Sequence, residues 1–199
     1  MKRASIIPHA ILAPVPVVLG SVIGWYSNAE DGGGAESGRR WYGSLRRPAY
    51  SPPPIVFSVV WPILYVLIGL SVFGAVAGCT AAGPVLWVYA ALALNLLFNL
   101  SYPLLMFRAR DLKLSMFATW LTLITGVLLL FAVTVSSAST GCTSGASTPA
   151  WLRGWKAATP WLLLPYVVWL MFASILATAV FTMNDGDDRS RPSPPPSSP

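Results

Sequence analysis

The sequence predicts an all-α membrane protein: a five-transmembrane-helix bundle with a structured loop between helices 1 and 2. Three observations carry this. Of 199 residues, 55% are hydrophobic and 10% charged, whereas an ordinary soluble domain is about 25% charged. A water-exposed globule of this size would lack the charges to cover its surface. Mean hydropathy is +0.62, and from Ser51 to Met183 only Arg108, Arg110, Asp111, Lys113, Arg153 and Lys156 are charged. The charge-free runs are also long enough, since a span needs roughly 20 apolar residues. In lipid every backbone polar group needs an internal partner, and these runs lack the alternation of a barrel strand, so each span is expected to be helical.

In chain order the spans fall at Ile6 to Tyr26, Ile55 to Gly78, Pro84 to Phe107, Leu114 to Val135 and Trp161 to Met183, giving a membrane domain over residues 1–184. The first follows Met1-Lys2-Arg3 and precedes Ser27-Asn28-Ala29, an arrangement like that of a signal peptide. Its apolar run is longer than the roughly 7 to 15 residues of a signal core, so it is expected to remain as a helix. The basic start is too short for an Arg-rich transit peptide. Residues 28–38 and 136–148 are polar and rich in small residues, and neither can bury a core. Residues 185–199 turn from acidic to Ser/Pro-rich and are expected to be a disordered tail. Residues 39–54 mix arginines, aromatics and prolines, which fits either an interfacial anchor or a lid over the bundle mouth.

Orientation follows from the basic residues. Side A, with the N-terminus and the turns near Cys79 and at 136–160, holds Lys2, Arg3, Arg153 and Lys156; side B holds nine Lys and Arg. Side B, with the C-terminus, is therefore expected to be cytosolic. The net charge of +6 is spread over both faces, so lipid headgroups rather than nucleic acid are the expected partners. Cys79 and Cys142 both fall on side A. Two thiols alone make no zinc site; buried free thiols and a disulfide on an oxidising face both remain open.

Asn95, Asn99 and Pro103 lie near one helical face, and Pro103 removes the hydrogen bond that the Asn99 carbonyl would accept. Both asparagines can glue helices together; Asn99 can also face a ligand. The sequon at Asn99-Leu100-Ser101 lies inside a span and reads as a chance match. At 1.5 Å per residue, Trp61 lies about 9 Å below side B, Asn99 about 12 Å, Ala173 about 15 Å and Trp169 about 21 Å. These four, from three helices, are placed to line one cavity beneath residues 39–54, where tryptophans would stack on a flat macrocycle. Belt or packing roles compete for Trp61 and Trp169. Gly74 to Gly78 and Ala173 to Ala177 allow close helix approach, either in a homodimer or within the chain. No span holds Asp or Glu and the one histidine is His9. Acid–base catalysis, metal ligation and proton relay therefore lack residues, and no cofactor is expected to be required.

Three ordered motifs carry a resemblance. Trp41-Tyr42, Leu45, Arg47-Pro48, Tyr50 and Pro52-Pro53 run into Trp61, Tyr65 and Gly69. Asn99, Tyr102-Pro103 and Phe107 follow, then Pro165-Tyr166, Trp169, Phe172-Ala173 and Leu176. Together they resemble the translocator protein family, also called tryptophan-rich sensory proteins or peripheral benzodiazepine receptors. The resemblance covers roughly Ile6 to Asn184. It implies five helices and a pocket opening toward the cytosol. It also implies porphyrin or haem binding, with sterol and benzodiazepine-type ligands, and a role in tetrapyrrole or lipid transport and stress signalling. The implied ligand-binding residues are Trp41, Trp61, Tyr65, Asn99, Tyr102, Trp169, Phe172 and Ala173. The implied membrane is the mitochondrial outer membrane, with the endoplasmic reticulum second. At the family's proposed cholesterol motif this chain has Ala177, Thr178, Phe181 and Thr182, without its tyrosine and arginine. Porphyrin breakdown assisted by Trp61 and Trp169 is one alternative function; a membrane scaffold bound through the Ser/Pro-rich tail is another.

Overall fold

The computed structural model describes Pro14, Pro16, residues 18–20, Val22, residues 40–143 and residues 150–189. Among these, four helices are long and apolar enough to cross a membrane. They are α1 (Pro54–Val76), α2 (Ala82–Pro103), α3 (Leu112–Ala138) and α4 (Ala150–Arg189). The first expected span is described at only a few positions, where Val18 N–H donates to the Pro14 carbonyl at 3.0 Å, a helical bond. The remainder of that span, and with it the fifth crossing and the loop that would follow, lies outside the described residues.

Local sequence explains the helix ends. Pro54 begins α1, where its missing N–H costs nothing. Asp111 caps α3 by accepting the Leu114 N–H at 2.8 Å. At the end of α2, Pro103 cannot donate, and the chain widens into a π-helical turn, Leu104–Arg108. The widened turn closes with Ala109 N–H on the Leu104 carbonyl at 2.9 Å.

The helix faces are inverted relative to a water-soluble bundle. On α3, Leu114, Phe117, Leu121, Ile124, Leu128, Phe131 and Val135 point outward and exposed. The opposite stripe of Ser115, Thr119, Thr122, Gly126, Leu129, Val133 and Ser136 is buried. On α1, Ile55, Val59, Ile63, Val66 and Leu70 form a similar outer stripe. Large apolar side chains outside and small or hydroxyl-bearing ones inside suit a bundle surrounded by lipid, where close packing and polar contacts hold helices together. The chain is a multi-pass integral membrane protein. α3 packs against both α2 and α4, and α4 against α1.

One end of the bundle is sealed. On side A, Cys79 and Cys142 form a disulfide, joining the α1–α2 turn to the short helical turn Thr140–Thr143. Ser71 Oγ donates to the Thr159 carbonyl at 2.8 Å. Lys156 Nζ donates to the Ala75 carbonyl at 3.1 Å, as Ser136 Oγ does at 3.3 Å. Gly74 lets Trp155 and Thr159 sit against α1: a Cβ there would lie 2.2 Å from Thr159 Cγ2. The close approach foreseen at Gly74 is therefore made within the chain.

Two boundaries differ from expectation. α4 begins at Ala150, before the expected Trp161, and takes in Lys156, which the sequence placed in a side-A loop. Lys156 is buried because its ammonium reaches a carbonyl in the last turn of α1, where helix carbonyls lack intrahelical donors. α4 also runs on to Arg189, past the expected end at Met183; the rest of the tail lies outside the described residues.

Candidate functional site

The side-B half of the bundle encloses a cavity of about 1190 Å³, above the roughly 300–1,000 Å³ of most ligand pockets. α1 contributes Phe57, Ser58, Trp61 and Tyr65; α2 and its π-helical turn contribute Asn99, Tyr102, Met106 and Phe107. α3 adds Ser115, Met116, Thr119 and Thr122, and α4 adds Leu170, Ala173, Ala177 and Val180. The wall ends at Tyr65 and Leu170. Beyond it, toward side A, Ile68, Val72, Val88, Leu129, Val133 and Leu163 fill the interior. The cavity is blind at the sealed end.

The opposite end is crossed by residues 40–53. Residues 40–44 form a helical turn, and the chain then bends at Leu45 and makes a turn closed by Ser51 N–H on the Pro48 carbonyl at 3.0 Å before α1. Tyr42, Gly43 and Arg47 of this segment line the cavity. The Arg47 guanidinium lies over the Tyr42 ring, 5.0 Å from its centroid, and Tyr42 packs on Phe107 at 6.2 Å. Asn184 near the end of α4 bonds both the N–H and the carbonyl of Arg46.

A polar chain underlies the cavity. Tyr65 Oη donates to Asn99 Oδ1 at 2.7 Å, and Asn99 Nδ2 to Tyr166 Oη at 2.9 Å. Tyr166 in turn donates to Asn95 Oδ1 at 2.8 Å, and Asn95 Nδ2 to the Thr122 carbonyl at 3.0 Å. All four of these side chains are buried. Trp61 stacks beside them, its ring centroid 5.5 Å from Tyr65 and 6.5 Å from Tyr166. The site thus combines flat aromatic faces with one internally satisfied polar line, an arrangement suited to an apolar planar ligand. Among the described residues no group of His, Cys, Asp and Glu could hold a metal.

Five of the eight residues singled out in the sequence, Trp61, Tyr65, Asn99, Tyr102 and Ala173, meet on this cavity. Three stand elsewhere. Trp41 lies under the Arg110 guanidinium at 6.0 Å. Trp169 packs edge-on against Phe57 at 5.6 Å and against Phe172 at 5.4 Å. Depth along a helix places Trp169 at the right level but leaves its azimuth open, and the azimuth turns it toward α1. Sequence reasoning missed Tyr166 as the partner of both asparagines, and all of α3. The available signals were two in-span asparagines needing partners and the Ser115, Thr119, Thr122 spacing on one face of α3.

Comparison with known proteins agrees with the motifs. Residues 12–183 match the model of the TspO/MBR family. The chain is 31% identical over 153 residues to the human Translocator protein, covering 75% of this chain and 78% of that one. It is 27% identical over 147 residues to the Tryptophan-rich protein TspO of Bacillus cereus, covering 73% and 82%. Protein CrtK of Rhodobacter capsulatus is 25% identical over 151 residues, covering 74% and 80%.

Proposed function

The chain belongs to the TspO/MBR family of membrane translocators, and from that premise we propose that it binds a porphyrin, protoporphyrin or haem, in the cavity between α1 and α4. One observation carries the reading: a large, blind, aromatic-walled cavity inside a lipid-embedded bundle, with Trp61 on its wall. An apolar macrocycle reaches it from the bilayer or from side B, beneath residues 40–53. Sterol and benzodiazepine-type ligands suit the same apolar wall, and transport or homeostasis of tetrapyrroles or lipids is the role that such binding would serve. Binding needs no resident cofactor.

The experiment is titration of the purified full chain in lipid nanodiscs with protoporphyrin. Saturable binding, weakened about tenfold by Trp61→Ala and weakened by Asn99→Ala, supports the reading; unchanged binding in both variants removes it. A second reading, Trp61-assisted photochemical breakdown of the porphyrin, is favoured by the Trp61, Tyr65 and Tyr166 rings lying within contact of one another. Illuminating the complex decides it, because binding alone leaves the porphyrin absorption independent of Trp61.

For orientation we propose that side B, with the C-terminal end of α4, faces the cytosol. The nine basic residues of side B support this. The Cys79–Cys142 bond supports it independently, since a disulfide persists on an oxidising face. The mitochondrial outer membrane is the proposed location. A bacterial plasma membrane with side A outward meets both constraints equally, as the bacterial relatives suggest, and fractionation of the native cell separates the two.

A further inference from the structure

Lys156 is a buried charge at the end of the bundle that has no acid to match it. The segments expected on side A, residues 1–5, 79–83 and 136–160, contain no Asp or Glu. A lysine is rarely buried without a partner charge. Among the described residues the Lys156 ammonium donates to the Ala75 carbonyl at 3.1 Å and to the Cys79 sulfur at 3.8 Å. Both are neutral groups, and neither balances it.

The two sulfurs of the disulfide stand in different surroundings. Cys142 is buried, with Ser136 Oγ 3.8 Å from its sulfur. Ser136 sends its own proton to the Ala75 carbonyl, so its oxygen offers an acceptor to a Cys142 thiol. Cys79 is half-buried and has the ammonium beside it. The Ala75 carbonyl also lies 3.3 Å from the Cys79 sulfur. Its two lone pairs already receive Lys156 and Ser136, so it is not free to hold Cys79 as a thiol. With the bond open, this arrangement favours a neutral Cys142 and an ionised Cys79.

We propose that the Cys79–Cys142 bond is a thiol-exchange site, and that Lys156 sets its redox poise by pairing with the Cys79 thiolate when the bond opens. The thiolate of a small thiol on side A attacks the half-buried Cys79 sulfur, and Cys142 leaves as a thiolate that takes up a proton. A second thiolate attacks the outer sulfur of the mixed disulfide and expels Cys79 as a thiolate beside Lys156. The two small thiols end as one disulfide, and the two cysteines are reduced. Of the two protons that the thiols give up, Cys142 keeps one and solvent takes the other. Reduction thus supplies the anion that Lys156 lacks. The bonds of Ser71 Oγ to the Thr159 carbonyl and of Ser137 Oγ with Thr159 Oγ1, each 2.8 Å, involve no sulfur. They keep α1, α3 and α4 together on side A, so the bond can re-form.

The test equilibrates the full chain in nanodiscs with reduced and oxidised dithiothreitol at about pH 8, where thiolates are well populated. Maleimide labelling reads the fraction of open bond. Lys156→Met removes the charge at similar length, and it is expected to shift the equilibrium about tenfold toward the disulfide, about 30 mV in potential. The sign is decisive. A purely structural Lys156 gives the opposite, because loosening the sealed end favours the open bond. An unchanged equilibrium in folded Lys156→Met, or a shift toward the open bond, overturns the proposal. If Lys156→Met does not fold, the single-cysteine variants decide. Cys142→Ser keeps Cys79 alone and is expected to show the ultraviolet absorbance of a thiolate at about pH 7, below the ordinary thiol range. Cys79→Ser keeps Cys142 alone and is expected to show none. No thiolate absorbance in Cys142→Ser, or equal absorbance in both, likewise overturns the proposal.

Discussion

Asn184 holds Arg46 by both ends of its side-chain amide. Its Oδ1 accepts the Arg46 N–H at 3.1 Å and its Nδ2 donates to the Arg46 carbonyl at 2.9 Å, across 138 residues of sequence. The pair ties the segment before α1 to the last turns of α4, so it joins that segment to a helix that also supplies the cavity wall.

Asn184→Ala should release that segment without disturbing the bundle. Trypsin cleavage after Arg46 is expected to speed up about tenfold, the factor for losing one or two net hydrogen bonds that hold a local opening closed. The thermal midpoint should stay within a few degrees of the unaltered protein. An unchanged cleavage rate would show that contacts other than Asn184 hold the segment.

Asn95→Ala should be among the more damaging single changes in the interior. It removes the acceptor that the Tyr166 hydroxyl uses and opens a gap between α2 and α3. A loss of about 1–3 kcal/mol is expected from the unpaired buried group. Thr134→Val is the comparison, since Thr134 is exposed and bonds only its own helix at the Leu130 carbonyl; it should stay within about 0.5 kcal/mol. Equal effects in reversible unfolding would mean the buried chain is not structural.

Gly74→Ala and Gly154→Ala form a second contrast. A Cβ at Gly74 would meet Thr159 and the Trp155 indole, whereas one at Gly154 meets nothing within 4 Å. The first should cost about 1–3 kcal/mol by overpacking. The second should be neutral or stabilise α4 by up to about 1 kcal/mol, since alanine favours the helix. Thermal unfolding of the two variants side by side tests the order.

Replacing Cys79 and Cys142 with serine should loosen the sealed end. The bond closes a loop between residues 63 apart, for which chain entropy gives an upper figure of about 4 kcal/mol. Lipid holds α1 and α3 inserted in either case, so the measured loss should fall well below that. In the unaltered protein both thiols should resist maleimide until a reductant is added; immediate labelling would remove the bond and the orientation argument drawn from it.

Trp169→Phe should leave protoporphyrin affinity within about threefold, because Trp169 packs behind Phe57 rather than on the cavity. Among the described residues its indole N–H is buried without a partner, so phenylalanine loses no hydrogen bond to them and stability should change little. A tenfold weakening would place Trp169 in the ligand's path.

What the sequence determined by itself follows from composition and spacing. The dearth of charge between Ser51 and Met183 dictates a lipid-embedded bundle, and the apolar runs place three crossings, α1, α2 and α3, within a few residues of their ends. The motifs brought Trp61, Tyr65, Asn99, Tyr102 and Ala173 to one cavity, because each lies on its helix at a depth that a fixed rise per residue can reach. The sequence did not reveal azimuth or pairing. Trp169 has the depth of the cavity, and its azimuth sets it against Phe57. Lys156 looks like a headgroup charge until the end of α1 offers it a carbonyl, and Cys79 and Cys142 pair only because the α1–α2 turn and the end of α3 meet on side A. The partners of Asn95 and Asn99 are likewise decided by packing: a polar group inside lipid must find a mate, but which tyrosine stands within 3 Å depends on how four helices rotate against one another. That rotation is a property of the whole bundle, set by which small residues let which backbones approach.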